Sequence, residues 1–159
     1  MQQTDGSLPY GIPQTLVPGL RRILAPNPSP MTGPGTNSYL IGTRDIALID
    51  PGPDDTTHLA AILAALAPGS RISHIFVTHA HRDHSALARR LADTISAPVL
   101  AFGDAFAGRS PLMEDLARRD RRGGGEGSDT AFAPDRTLAD GESIETADWS
   151  LTALHTPGH

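Results

Sequence analysis

Residues 77–85 read VTHAHRDHS. Three histidines and an aspartate, His79, His81, Asp83 and His84, fall within six positions of a chain that has seven histidines. The stretch before them, ISHIFVT (72–78), is a continuous apolar run of strand length, as a buried strand requires. The stretch after, SALARRLADTI (85–95), carries Leu87, Leu91 and Ile95 at four-residue spacing, one face of a helix. The cluster is therefore expected in a strand-to-helix turn, outside the carboxyl end of a strand, where ligands of open α/β sheets collect.

That placement gives each residue a direction. His79 and His81, two apart in an extended segment, project to the same side and can grip one metal ion together. Asp83 and His84 fall at the helix start. The partial positive charge there favours an ionised Asp83 and disfavours a protonated His84, and metal ligands must be deprotonated. Nitrogen and oxygen donors without sulfur suit zinc first, with iron or manganese as alternatives. The competing reading is a chance cluster of hydrogen-bonded histidines on a polar loop. A shuffled chain of this composition shows H-x-H-x-D-H about once in a thousand tries, which disfavours chance.

Working outward, TNSYLIG (36–42) and DIALID (45–50) are short apolar runs joined through GTR, which predicts a hairpin. In THLAAILAALAPG (57–69), Leu59, Ile62, Leu63 and Leu66 mark a helix that Asp54 or Asp55 can cap and Pro68-Gly69 ends. PVLAF (98–102) is the next strand. Strand, helix, strand, helix, strand is the signature of an α/β fold with parallel pairing. Residues 1–35 are rich in proline and glycine and are expected as an extended surface lead-in, with VPGLRRIL (17–24) adding a short edge strand. PLMEDLARR (111–119) suits a short helix, and residues near 120–130, RRGGGEGSD, a flexible loop. LADGESIE (138–145) predicts a hairpin turn at Asp140-Gly141, and WSLTALH (149–155) a strand.

Composition narrows the function. At 159 residues the length suits one domain, and the net charge of -5 provides no overall basic field for nucleic acid or an anionic membrane. Arg118, Arg119, Arg121 and Arg122 read as a solvated helix end rather than a phosphate contact. Cysteine is absent, which removes thiolate nucleophiles and cysteine-ligated zinc. Neither a secretory signal nor a membrane-spanning run is legible, so a soluble, cytoplasmic protein is expected.

THAHRDHS resembles the H-x-H-x-D-H motif of the metallo-β-lactamase superfamily. LIDPG (48–52) resembles the family's first motif and LHTPGH (154–159) its third, in matching order from about residue 36 to the end. The resemblance implies a four-layer αββα sandwich, of which this chain supplies mainly the N-terminal αβ half over residues 36–159. It implies that His79, His81 and His159 hold one metal, that Asp83 and His84 begin a second site, and that Asp50 supports the pocket. His58, His74 and His155 lie off the motifs and are expected in ordinary structural roles.

Two zinc ions per intact site follow from the resemblance. A bridging aspartate and a last histidine are not present in these residues, so the chain reads as half of a longer protein and the fragment as inactive. A zinc ion would lower the pKa of water to about 7, and Asp83 would orient that water and take its proton. The expected reaction is hydrolysis of an ester, thioester or phosphodiester, with a small-molecule ester or thioester as substrate. The segment NPSPMTGPGTNSYLIG (27–42) resembles the endoribonuclease branch of the superfamily, so RNA is a second candidate partner, while Thr-His-x-His-x-Asp-His is shared with hydroxyacylglutathione hydrolases. A non-catalytic metal-binding module is the reading from another class.

Overall fold

The structure is a computed structural model and describes residues 9–108, 110, 112 and 127–156. Most of the helix and loop expected over 111–126, the arginine run and His159 lie outside these residues.

Seven strands form one sheet in the order of the sequence: β1 (Gln14–Val17), β2 (Leu20–Leu24), β3 (Asn37–Ile41), β4 (Asp45–Ile49), β5 (Arg71–Val77), β6 (Val99–Ala101) and β7 (Arg136–Thr137). β1 to β4 pair antiparallel, and β4 to β7 pair parallel. The change of direction has a local cause. Tight turns at Pro18-Gly19 and at Gly42–Arg44 can only reverse the chain, whereas helical crossovers carry it back to run alongside. α1 (Thr56–Ala64) joins β4 to β5, and α2 (Arg82–Ser85) with α3 (Ala88–Ile95) joins β5 to β6.

The expected lead-in holds two strands of the sheet rather than one, and Ile23, Leu24 and Ala25 are buried. Proline there does not keep the chain off the core, because Pro18 sits in the turn between the strands. Asp55 is the residue that caps α1, its Oδ1 accepting the His58 amide at 2.7 Å.

Alternating side chains of the sheet feed two cores. Ile46, Leu48, Ile75 and Val77 face the helices and pack with Leu59, Ile62 and Leu91. Ala47 and Leu100 point the other way, onto Trp149, Ile144 and Leu138. Pairing jumps from Ile46↔Ile72 to Ala47↔His74, so Ser73 is an extra residue in β5. The bulge lets Ile72 and Ile75, three apart, serve the same core. α1 and α3 have nine and eight residues, too few to persist alone in water. Each buried aliphatic side chain is worth about 1.5–3 kcal/mol, so contact with the sheet, not helix propensity, holds them.

A second, two-stranded sheet, β8 (Ser143–Glu145) with β9 (Ser150–Thr152), covers the face opposite the helices. The chain thus supplies the expected αβ half and a strip of a second sheet. The hairpin turn lies at 146–149, not at Asp140-Gly141. Asp140-Gly141 does turn, with Glu142 N bonded to the Ala139 carbonyl at 3.1 Å and Gly141 at φ 77, but this turn swings the chain from β7 into the second sheet. A dipeptide signal reports a bend and says nothing of which strands flank it.

The hairpin is tied to the β3–β4 turn. Trp149 Nε1 donates to the Asp45 carbonyl at 2.8 Å, and Asp148 accepts the amides of Thr43, Arg44 and Asp45 and the Thr43 hydroxyl. These bonds, the Arg44 amide first and then those from Thr43, lower the Asp148 pKa from 3.8 to about 2. A depressed carboxylate pKa adds stability above the unfolded value and loses it as pH falls through the folded one. Asp148→Asn is therefore expected to lower the thermal midpoint by a constant amount above about pH 5, and the gap to the parent should close between pH 4 and 2. A gap independent of pH, by calorimetry across that range, would refute this role.

Candidate metal centre

Asp50 directly follows β4, in the left-handed region at φ 51, which aspartate tolerates better than most residues. Its amide bonds the Phe76 carbonyl at 2.8 Å, so the carboxylate, 6% exposed, turns under the end of β5. There Oδ1 accepts the Thr78 amide at 2.8 Å, and Oδ2 takes the Thr78 hydroxyl and His84 Nδ1, each at 2.8 Å. Pro51 and Gly52 follow. The Gly52 amide bonds the His84 carbonyl at 3.1 Å, and its own carbonyl accepts the Leu87 amide at 3.1 Å. Gly52 has φ +91, and a Cβ there would sit 3.1 Å from the His58 ring. The end of β4 and the end of β5 are thus laced into one unit.

On that base His79, His81, Asp83 and His84 lie side by side on one strand-to-helix turn. The ring centroids of His79 lie 4.7 Å from His81 and 4.3 Å from His84. His79 Nε2 and His81 Nδ1 are 3.1 Å apart, and Thr78 Oγ1 is 3.0 Å from His79 Nδ1. His84 Nε2 reaches Asp83 Oδ2 at 3.2 Å. The donors are gathered on one turn, yet among the described residues no three His, Asp or Glu side chains converge so as to hold an ion. His79 Nε2 faces His81 Nδ1, and the two nitrogens of His84 face the Asp50 and Asp83 carboxylates. His159 lies outside the described residues.

The expected effect of the helix start on His84 does not hold. Burial works against its charged form, but the hydrogen bond that His84 Nδ1 makes to the Asp50 carboxylate and the charges of Asp50 and Asp83 outweigh burial, and its pKa is raised above 6.5. α2 has only four residues, and its dipole is a fraction of a charge against two carboxylates. The donor set still suits zinc in kind, with imidazole nitrogen and carboxylate oxygen and no sulfur.

The other histidines serve the fold. His58 is fully buried, with Nε2 2.9 Å from Ser38 Oγ, and burial lowers its pKa. His74 packs edge-on against Trp149, with centroids 5.3 Å apart. His155 stacks on Phe102 with centroids 3.8 Å apart, and its amide bonds Asp140 Oδ1 at 2.9 Å. The two rings stand at a cavity of about 210 Å³ that also touches Thr78, Phe76, Leu138 and Leu151.

Several residues at the site have no signature in the sequence. Thr36, 5% exposed, reaches Asp83 Oδ2 at 3.4 Å and is itself held by Asn27 Nδ2 at 3.0 Å. Ser85 Oγ bonds the His81 carbonyl at 3.0 Å and Asp129 Oδ2 at 3.2 Å. Residues 127–129, expected as part of a flexible loop, lie along the histidine turn. A register of the parallel strands would have found Thr78, which directly follows β5 beside Asp50.

The pattern of the metallo-beta-lactamase superfamily matches residues 31–159, and the chain belongs to that superfamily. A lactamase-like protein of Pestalotiopsis microspora is 29% identical over 149 residues, covering 92% of this chain and 39% of its own length. An atrochrysone carboxyl ACP thioesterase of Passalora fulva is 30% identical over 151 residues, covering 92% and 37%. A class B3 di-zinc metallo-beta-lactamase from an Alaskan soil metagenome superposes with a TM-score of 0.64 at 25% identity, over all of this chain and 57% of that one. The chain spans less than half the length of the curated relatives it matches. Among the described residues no helix is long and apolar enough to cross a membrane.

Asp50→Ala leaves the Thr78 amide and hydroxyl and the half-buried His84 Nδ1 without their shared carboxylate acceptor. A hydrogen bond to a charged group contributes about 1.5–3 kcal/mol, so a loss of about 2 kcal/mol or more in urea unfolding is expected. A loss under about 0.5 kcal/mol would show that Asp50 is a surface turn residue.

Proposed function

We propose that the protein is a metal-dependent hydrolase that cleaves thioesters or esters. The observation that carries this reading is the gathering of His79, His81, Asp83 and His84 on one strand-to-helix turn, braced from below by the buried Asp50 carboxylate. His79 and His81, with His159, would hold one ion, and Asp83 with His84 would begin a second site. Zinc fits the donors best, and a bound zinc ion supplies acidity, lowering the pKa of water to about 7.

The rest of the chemistry belongs to the chain. Asp83 would orient the attacking water and accept its proton. Asp50 holds His84 by Nδ1, so Nε2, which lies beside Asp83, is the nitrogen that the ring would offer to a metal. The apolar walls of the neighbouring cavity, with Phe102 and His155 at its side, suit the acyl part of a substrate better than a phosphate chain. Relatives named as acyl-carrier-protein thioesterases support a thioester over other carbonyl substrates.

The test is made on the intact protein with generic acyl thioesters. The parent should contain zinc and turn over thioester. Asp83→Ala should lower kcat by about 100-fold or more, and His79→Ala should release metal by elemental analysis. Parent protein lacking metal, or cleaving single-stranded RNA but no thioester, would overturn the reading.

A further inference from the structure

We infer that Asp129 is a positioning residue for the histidine turn, acting through Ser85 and through a short strap formed by residues 127–129. This rests on the metal-binding reading given above. The strap runs antiparallel to the turn, with His81 bridged to Ser128. The Arg82 amide bonds the Gly127 carbonyl at 2.8 Å, and the Asp129 amide bonds the Ala80 carbonyl at 2.8 Å. His81 is therefore clasped by backbone bonds on both sides, which join residues 45 (Arg82 to Gly127) and 49 (Ala80 to Asp129) apart in the chain.

The side chains lock the same joint. Ser85 is 2% exposed, and its hydroxyl spans the His81 carbonyl at 3.0 Å and Asp129 Oδ2 at 3.2 Å. A hydroxyl has one proton, so it donates to one of these acceptors at a time, and either bond fixes Ser85 in the gap between turn and strap. Asp129 Oδ1 in turn accepts the Ala131 amide at 3.3 Å, and the Asp129 carbonyl accepts the Phe132 amide at 3.0 Å. Phe132 is 8% exposed and packs in the helix-side core. The strap is thus anchored in the hydrophobic core at one end and pairs with Ala80, His81 and Arg82, the backbone around the candidate ligand His81, at the other. It sets the backbone from which both rings project, a turn whose side chains do not by themselves converge on one point.

The experiment uses the intact protein, with zinc affinity measured by competition against a chromophoric chelator. Amide exchange of Arg82 and Asp129 is followed by NMR. Asp129→Ala and Ser85→Ala are each expected to weaken zinc binding about 10-fold or more, the size seen when partners of metal ligands are removed. Both should speed exchange at Arg82. The double variant should bind no more weakly than the worse single one, because both act through one joint. Asp129→Asn keeps an acceptor oxygen and should bind more tightly than Asp129→Ala. Where Asp129→Ala fails to fold, Ser85→Ala carries the test. Parent-like zinc affinity and exchange in the singles, or fully additive losses in the double, would overturn the inference. Parent protein that binds no zinc would instead remove the metal reading, and amide exchange would still decide whether Asp129 sets the turn.

Discussion

The Asp50 carboxylate is the fixed point of this molecule. It is nearly buried, it directly follows one parallel strand, and it ties the next strand end to the start of α2 through Thr78 and His84. A buried carboxylate without partners would be expelled or protonated. Here two hydrogens of Thr78 and one imidazole meet it, and the cost of burying charge is offset. The left-handed backbone at Asp50 is tolerated for the same reason, since the surrounding bonds over-determine it. The histidine turn rests on this base.

Above the base, order comes from two directions. From below, Asp50 and Gly52 fix His84 and the entry to α3. From the side, residues 127–129 fix Ala80 to Arg82. A site built on a turn is ordinarily less rigid than one built on regular elements. This turn gains strand-like order by pairing with a partner from elsewhere in the chain.

Much of the fold was legible because periodicity is a local property. ISHIFVT, the Leu59 and Leu91 faces and the GTR turn each declare themselves within a dozen residues. The four clustered donors were legible for the same reason. Contacts between segments distant in sequence were not: Thr36 with Asp83, Thr78 with Asp50 and Ser85 with Asp129 join residues 28 to 47 apart. The expectation for His84 went wrong for a related reason. Spacing placed it at a helix start and could not show that two carboxylates would sit on it. The hairpin turn was misplaced because Asp140-Gly141 bends the chain between sheets rather than within one.

The strand order of the large sheet runs β1 to β7 without a single exchange. Each of these strands after β1, on leaving the ribosome, finds a partner already made. No early strand has to wait with an open edge for a late one to be inserted beside it, so exposure to mispairing is brief. The exception is the pair of sheet-to-sheet ties from Asp148 and Trp149 to the β3–β4 turn, which close loops of 103 to 105 residues. Loop closure on that scale comes late. Synthesis itself thus divides the chain into a sheet that assembles as it is made and a hairpin that latches onto it afterwards.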